Sequence, residues 1–131
     1  MQLDSISDLI RSAMGYERAR AEVASHNLAV ANVALAPGDR SPLLGVVPPS
    51  SFAARVGLQN PDVQPIEDTG TRTELDPQHP LADENGMVHY PRVEAAREMA
   101  TLVSATRAYE ANIRAYNSLR AMTLKAFEIG K

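Results

Sequence analysis

The distribution of proline divides this chain of 131 residues into three parts. All nine prolines lie between Pro37 and Pro91, together with five of the seven glycines. Because proline breaks a helix interior and glycine weakens it, long helices can form only on either side of this segment. The sequence therefore predicts a mainly α fold, with a helix in residues 1–36, an irregular middle in residues 37–91 and a second helix in residues 92–131.

The C-terminal helix, from Arg92 to Lys131, begins after Pro91 and is expected to stop at Gly130. It carries two apolar seams, meaning rows of residues spaced by three and four. Adjacent residues lie about 100° apart on a helix, so a single partner helix cannot cover both seams. The first seam comprises Met99, Leu102, Thr106, Tyr109, Ile113, Tyr116, Thr123 and Phe127, and the second Ala105, Ala108, Asn112, Ala115, Leu119, Met122, Ala126 and Ile129.

The N-terminal helix is predicted from about Leu3 to Ala34, a stretch without proline. Gly15 inside it costs about 1 kcal/mol relative to alanine, so this helix is expected to need a partner. We expect the two helices to pair antiparallel within one subunit as a coiled-coil hairpin. The second seam would stay exposed until neighbouring molecules cover it, and the isolated chain is expected to be poorly ordered. The N-terminal seam comprises Ile6, Leu9, Ala13, Tyr16, Arg20, Val23, Asn27, Val30 and Ala34, widened by Ile10, Ala24 and Ala31.

The middle is predicted to contain short β-hairpins rather than a full sheet, because prolines flank or interrupt its apolar runs. Candidate strands are Phe52–Val56, Gln64–Ile66, Thr71–Leu75 and Met87–Tyr90. Turns are expected at Asp68-Thr69-Gly70 and Asn85-Gly86.

Composition excludes several functional classes. The net charge is −3 without a basic cluster, which disfavours nucleic acid as a partner. The sequence has no cysteine, no G-x-S-x-G motif and no glycine-rich phosphate loop, so an enzyme and a bound cofactor are not expected. The first ten residues contain Asp4 and Asp8 where a secretory signal would carry lysine, and no apolar run is long enough to span a membrane. We therefore expect any export to proceed without a cleavable signal peptide.

Two groups of polar residues allow more than one interpretation. His79, Asp83 and His89 could ligate a metal, but their spacing matches no closed zinc motif, and exposed loop residues are the favoured alternative. Asn27 and Asn112 each interrupt an apolar seam. A buried amide there would either fix the register of the paired helices or face a groove and bind backbone, and the sequence does not choose between these roles.

The C-terminal half of the chain carries an ordered series of short motifs: Asp76-Pro77, His79-Pro80, Ala82-Asp83, Asn85-Gly86, Val88, Tyr90-Pro91, Val93, Glu98-Met99, Ser104-Ala105, Arg107, Tyr109, Ala111-Asn112 and Leu124-Lys125. With this series it resembles the FlgC family of bacterial flagellar basal-body rod proteins. The N-terminal run Ala24-Ser25-His26-Asn27-Leu28-Ala29, with Asn32 beyond it, is similar to the Ala-Ser-x-Asn-Leu-Ala signature shared by axial proteins of rod, hook and filament. The family usually has Asn at Val30 and Thr at Val33, and Ala34 to Gly45 lacks its customary Thr-Arg and Tyr-Arg-Arg residues.

The resemblance implies a structural subunit of the proximal rod, the drive shaft of the flagellum. Its expected partners are other copies of itself, sister rod proteins, the adaptor between the membrane ring and export gate, and the flagellar type III export apparatus. It implies assembly in the periplasm after export as unfolded chain, with no nucleic acid and no membrane span. The alternative from the residues alone is a soluble helical adaptor or export chaperone that binds one partner through its second seam.

For a rod subunit, the apolar seams are expected to form the assembly interface, because torque must pass through packed helices. The residues that we assign to this interface are Ile6, Leu9, Val23, Asn27, Leu28, Met99, Leu102, Tyr109, Asn112, Ile113, Tyr116, Leu119, Met122 and Phe127.

Overall fold

Two long helices and two small sheets make up the described part of this chain. The computed structural model describes residues 2–47, 61–67 and 70–130, and within α1 it describes side chains from Ser5 onward. The predicted mainly α fold with short β-hairpins in the middle is confirmed. In chain order the elements are α1 (Gln2–Val30), β1 (Leu44–Val47), β2 (Asp62–Pro65), β3 (Thr71–Leu75), β4 (Met87–Pro91) and α2 (Ala95–Ile129).

The helix boundaries differ from the prediction in two places. Helix α1 ends at Val30, four residues before the predicted end. Helix α2 begins at Ala95, three residues after the predicted start at Arg92, so the prediction that Pro91 marks the start of the helix is wrong. Pro91 instead ends β4, opposite Thr71, and is fully buried. A proline is tolerated at a strand terminus because a missing N–H is needed least there.

The helices α1 and α2 pack antiparallel, which confirms the prediction for one subunit. Arg11 Nη2 donates to Tyr116 Oη at 3.2 Å. Two turns further along α1, the pKa of Arg18 is raised, first by its bond to Glu22 and to a smaller extent by Tyr109 on α2. Moving seven residues forward on one helix therefore corresponds to moving seven back on the other.

The described residues of the middle form two separate two-stranded antiparallel sheets, β1–β2 and β3–β4. Strand β3 has the predicted bounds, β4 extends one residue beyond them, and β2 lies at residues 62–65 rather than 64–66. The Asn85-Gly86 turn is confirmed, with Gly86 at φ 76°, where a Cβ would also meet Pro77 Cγ at 3.0 Å. Strand β1 was not predicted. The predicted strand Phe52–Val56, and Asp68 and Thr69 of the other turn, lie outside the described residues.

The buried core is small and lies at one end of the helix pair. Small apolar side chains from both helices meet there with residues of the middle. Besides Pro91, the buried apolar residues of the described chain are Ala19, Val23, Ala24, Leu35, Leu43, Val88 and Ala105.

Candidate assembly surface

The Asn27 side chain joins α1 to the β1–β2 sheet. Its Nδ2 donates to the Leu44 carbonyl and its Oδ1 accepts from the Leu44 N–H, both at 2.9 Å. His26, the residue before Asn27 on α1, holds the segment that leads into β1: its Nε2 donates to the Pro42 carbonyl at 2.9 Å. Asn27 is only 2% exposed, so its amide satisfies two backbone groups that would otherwise be buried without partners. We call these three bonds the Asn27 clamp.

The β3–β4 sheet is joined to the chain just after α1. The Leu35 N–H donates to the His89 carbonyl at 2.8 Å, which forms an isolated bridge between the loop and β4. Arg72 Nη2 donates to Asn32 Oδ1 at 3.1 Å, and the Arg72 guanidinium lies 4.6 Å from the centre of the Tyr90 ring. The C-terminal end of α1 therefore holds both sheets. We call this part of the molecule, residues 19–47, 61–67 and 70–105, the anchored end.

Asp83 organises the loop before β4. Its Oδ1 accepts from the N–H groups of Asn85 and Met87, at 2.8 and 2.9 Å, and its Oδ2 accepts from His89 Nε2 at 3.0 Å. The Met87 bond first, and the His89 bond second, hold the pKa of Asp83 below its ordinary value. Each bond favours the ionised carboxylate.

The three candidate metal ligands do not converge. Asp83 and His89 contact each other, but His79 Nδ1 accepts from the Leu81 N–H at 3.1 Å, within its own turn. Among the described residues, no three His, Cys, Asp or Glu side chains come together in a way that could hold a metal ion.

Burial along the helix pair falls from one end to the other. In α1, no described side chain before Ala19 is buried, and in α2 none after Ala105 is buried. The stripe of α2 that faces α1 combines parts of the two predicted seams. It consists of the buried or half-buried residues Glu98, Thr101, Leu102, Ala105, Ala108, Tyr109, Asn112, Tyr116, Leu119 and Thr123.

The other end of the pair leaves apolar side chains uncovered. Arg11 lies opposite Tyr116, and continuing this antiparallel register to the start of α1 places Lys125 opposite Gln2. The residues of α2 after Lys125 therefore extend beyond the end of α1. A groove of about 270 Å³ lies between the helices here, lined in part by Ser7, Arg11 and Leu119. We call residues 5–18 and 106–129 the open end. The large apolar side chains that are most exposed there are Met122, Leu124, Phe127 and Ile129, at 57–87%.

The structure distributes the predicted interface residues over three environments. Val23 and Asn27 are buried within the chain, and the Asn27 clamp gives Asn27 a bond to a distant strand rather than to the partner helix. Leu28, Leu102, Tyr109, Asn112, Tyr116 and Leu119 are half-buried, whereas Ile6, Leu9, Met99, Ile113, Met122 and Phe127 are exposed. The exposed six are the ones whose side chains remain free to contact another molecule.

Sequence reasoning missed the contacts that fix the middle segment. Leu44 contributes only backbone atoms to the Asn27 clamp. Every non-proline residue has the same backbone N–H and C=O groups, so a sequence does not show which of them will bond a side chain. Arg72 and Arg11 were not singled out either, although each bonds a residue far along the chain. The available signal was Asn27, a polar residue inside an apolar seam.

Comparisons with known proteins agree with this architecture. A family model described as flagellar basal body rod FlgEFG protein C-terminal matches residues 84–129, which include β4 and all of α2. The flagellar basal-body rod protein FlgC of Aquifex aeolicus is 31% identical over 137 residues, covering the whole of this chain and 99% of that protein. The FlgC protein of Escherichia coli is 34% identical over the full length of both chains.

The FlgC protein of Bacillus subtilis is 45% identical over 65 residues, which is half of this chain. Full-length similarity above 30% identity thus extends across both helices and the middle that joins them. This chain belongs to the FlgC family of flagellar basal-body rod proteins.

Proposed function

We propose that this chain is a structural subunit of the proximal rod of the bacterial flagellum and transmits torque by helix packing. Membership of a family of rod proteins makes it a structural component and not an enzyme. The observation that carries the mechanism is the uncovered apolar surface of the open end, where Phe127 is 71% exposed and Ile129 is 87% exposed. Isolated soluble proteins rarely leave such side chains clustered in water, so other molecules are expected to cover them.

The helix pair is proposed to act as a short antiparallel coiled coil. The heptad correspondence between Arg11 with Tyr116 and Arg18 with Tyr109 supports this, because a repeat of seven keeps the same faces together along both helices. In the assembled rod, the exposed face of α2 would pack against helices of neighbouring subunits. Met99, Val103 and Ile113 lie on that face and are between 36% and 56% exposed.

The proposed location is the periplasmic part of the rod, reached through the flagellar type III export apparatus. Within the described residues, neither helix is long and apolar enough to cross a membrane. The proposed partners are other copies of this chain, sister rod proteins and the adaptor at the membrane ring. Family membership favours this role over that of a helical adaptor or export chaperone.

A test of the proposal is the Ile113→Asp variant in a strain that lacks its own copy of this subunit. Ile113 is exposed in the single chain, so an aspartate there leaves the fold intact, but burying that carboxylate in an interface is costly. We expect normal expression and export with loss of swimming. Leu75→Asp is the matched control, because Leu75 is a 71% exposed apolar residue outside the helices. If the Ile113→Asp strain swims like the control, helix packing is not the assembly mechanism.

A further inference from the structure

The turn before β4 contains a residue pair that is prone to chemical modification. Asn85 is followed by Gly86, and none of the other asparagines precedes a glycine. An Asn-Gly pair loses ammonia readily, because the glycine nitrogen can attack the asparagine amide and glycine has no side chain to hinder the approach. Asn85 is exposed in the folded chain, so water reaches it.

We propose that Asn85 is the deamidation site of this chain and that Asp83 protects it while the chain is folded. In the reaction, the Gly86 nitrogen forms a bond to Asn85 Cγ, the bond from Cγ to the amide nitrogen breaks, and the proton from the Gly86 N–H leaves with ammonia. One water molecule then opens the resulting succinimide ring and gives aspartate or isoaspartate. The net reaction consumes one water and releases one ammonia, without oxidation or reduction.

Asp83 binds three consecutive backbone amides across this pair. Its Oδ1 accepts from the Asn85 N–H at 2.8 Å and from the Met87 N–H at 2.9 Å. Its backbone carbonyl accepts from the Gly86 N–H at 2.9 Å, and its own N–H donates to the Met87 carbonyl at 2.9 Å. The attacking nitrogen of Gly86 therefore lies between two amides that are bound to the same carboxylate oxygen.

These bonds oppose the reaction in two ways. The Gly86 nitrogen must lose its proton before it attacks, and a proton shared with the Asp83 carbonyl is lost less readily. The nitrogen must also turn towards Asn85 Cγ, which breaks its bond to that carbonyl and displaces the amides on either side of it. The reaction therefore requires the turn to open first.

Gly86 is also held from outside the turn. The Asp76 N–H donates to its carbonyl at 3.0 Å. Pro77 packs so closely that a Cβ at Gly86 would meet Pro77 Cγ at 3.0 Å. Rotation of the peptide that carries the attacking nitrogen is therefore restricted on both sides.

Deamidation would change the turn permanently. Isoaspartate adds one carbon to the backbone, and either product places a new carboxylate next to Asp83 and Glu84. Strand β4 follows directly, and its His89 carbonyl accepts from the Leu35 N–H. A chain that is modified while unfolded thus cannot restore the same bonds when it folds. The unfolded chain of the proposed export route lacks the protection, and only this consequence rests on the proposed function.

Peptide mass spectrometry of the purified full-length chain tests the site. The chain would be incubated folded and in denaturant, and the aspartate and isoaspartate formed at each asparagine would be measured over time. In denaturant, Asn85 should convert faster than Asn117, which is followed by serine. Folding should slow conversion at Asn85 by about a hundredfold, because the turn must open first. Equal rates at the two asparagines in denaturant, or equal rates at Asn85 in both states, would overturn the proposal.

Substitution tests whether Asp83 is the protecting residue. Asp83→Ala removes the acceptor of the amides on either side of Gly86, so the folded chain should deamidate about tenfold faster. Asp76→Ala is the matched control, because it removes a nearby carboxylate that accepts from the Gln78 N–H instead. Asp83→Asn, which keeps an acceptor oxygen but loses the charge, replaces the alanine variant if that chain does not fold, and its rate should also exceed the control's. A rate equal to that of the control in the folded variant would overturn the role of Asp83. Because every measurement uses the isolated chain, its outcome is independent of the proposed rod function.

Discussion

The anchored end and the open end use the same kind of helix in different ways. At the anchored end, Val23 and Ala105 are buried, and side-chain amides and backbone groups tie two sheets to α1. At the open end the same two helices run on together, but no described side chain there falls into the buried class. This chain thus buries side chains at one end by itself, and we propose that neighbours complete the other end.

This division fits the export that we propose for this subunit. Burying apolar surface gives about 25 cal/mol per Å², so side chains that remain exposed contribute little until a neighbour covers them. The open end therefore adds stability only on assembly. Because this apolar surface stays uncovered until assembly, the free energy of unfolding of the single chain is expected to stay low until it reaches the rod.

The largest effect is expected from removing residues 119–131, which deletes most of the exposed apolar surface of the open end. Leu119, Met122, Phe127 and Ile129 are each worth about 1.5–3 kcal/mol when neighbours bury them fully. We expect incorporation into basal bodies to be abolished while hydrogen exchange at the anchored end is unchanged. If the truncated chain still assembles, the open end is not the assembly element.

A smaller effect, confined to the single chain, is expected from Asn27→Ala. The change leaves the Leu44 N–H and C=O without the partners that they have at 2.9 Å, at a cost of about 1–3 kcal/mol. Amide exchange at Leu44 should accelerate, as measured by NMR or mass spectrometry. Ser25→Ala is the control, since Ser25 is exposed in the same turn of α1. Equal exchange in both variants would mean that the Asn27 clamp does not hold the sheet.

The smallest effect is expected from pH, through Asp83. Its pKa is lowered in the folded chain, first by the Met87 N–H and then by His89, so its contribution to stability is present above the ordinary aspartate pKa. That contribution is lost as the pH falls below about 4, because the carboxylate must then accept a proton. Thermal unfolding of Asp83→Asn should lose this part of the acid dependence. An acid slope equal to that of the original chain would show that the Asp83 bonds do not stabilise the fold.

The sequence predicted the elements whose signal is periodic and local. The absence of proline and the spacing of three and four gave both helices, and short runs that follow turns gave strands β3 and β4. The pairing of β3 with β4 across residues 76–86 was not predicted. Strand β1 was missed because its residues, Leu44 to Val47, pair with a strand beyond a long connection, and only the tertiary fold brings the two together. Pro91 was misassigned because a proline at a helix start and one at a strand end have the same sequence context.

The candidate surface was only partly predictable for a related reason. A seam identifies apolar residues, but the choice between Tyr109 facing α1 and Ile113 facing outward depends on the position of the partner helix. The Asn27 clamp depends on backbone atoms of Leu44, which no side-chain pattern reveals. Periodicity therefore gave the set of candidate residues, and the fold divided that set into intramolecular and exposed members.

Hydrogen exchange along α1 and α2 tests the central claim most directly, when it is measured on the dilute chain and again on assembled rods. In the dilute chain we predict slow exchange around Val23 to Asn27 and at Leu44, with fast exchange in residues 5–16 and 113–129. In assembled rods, exchange in those two segments should become slow. Uniform slow exchange along both helices of the dilute chain would contradict the account, because the open end would then be complete without neighbours.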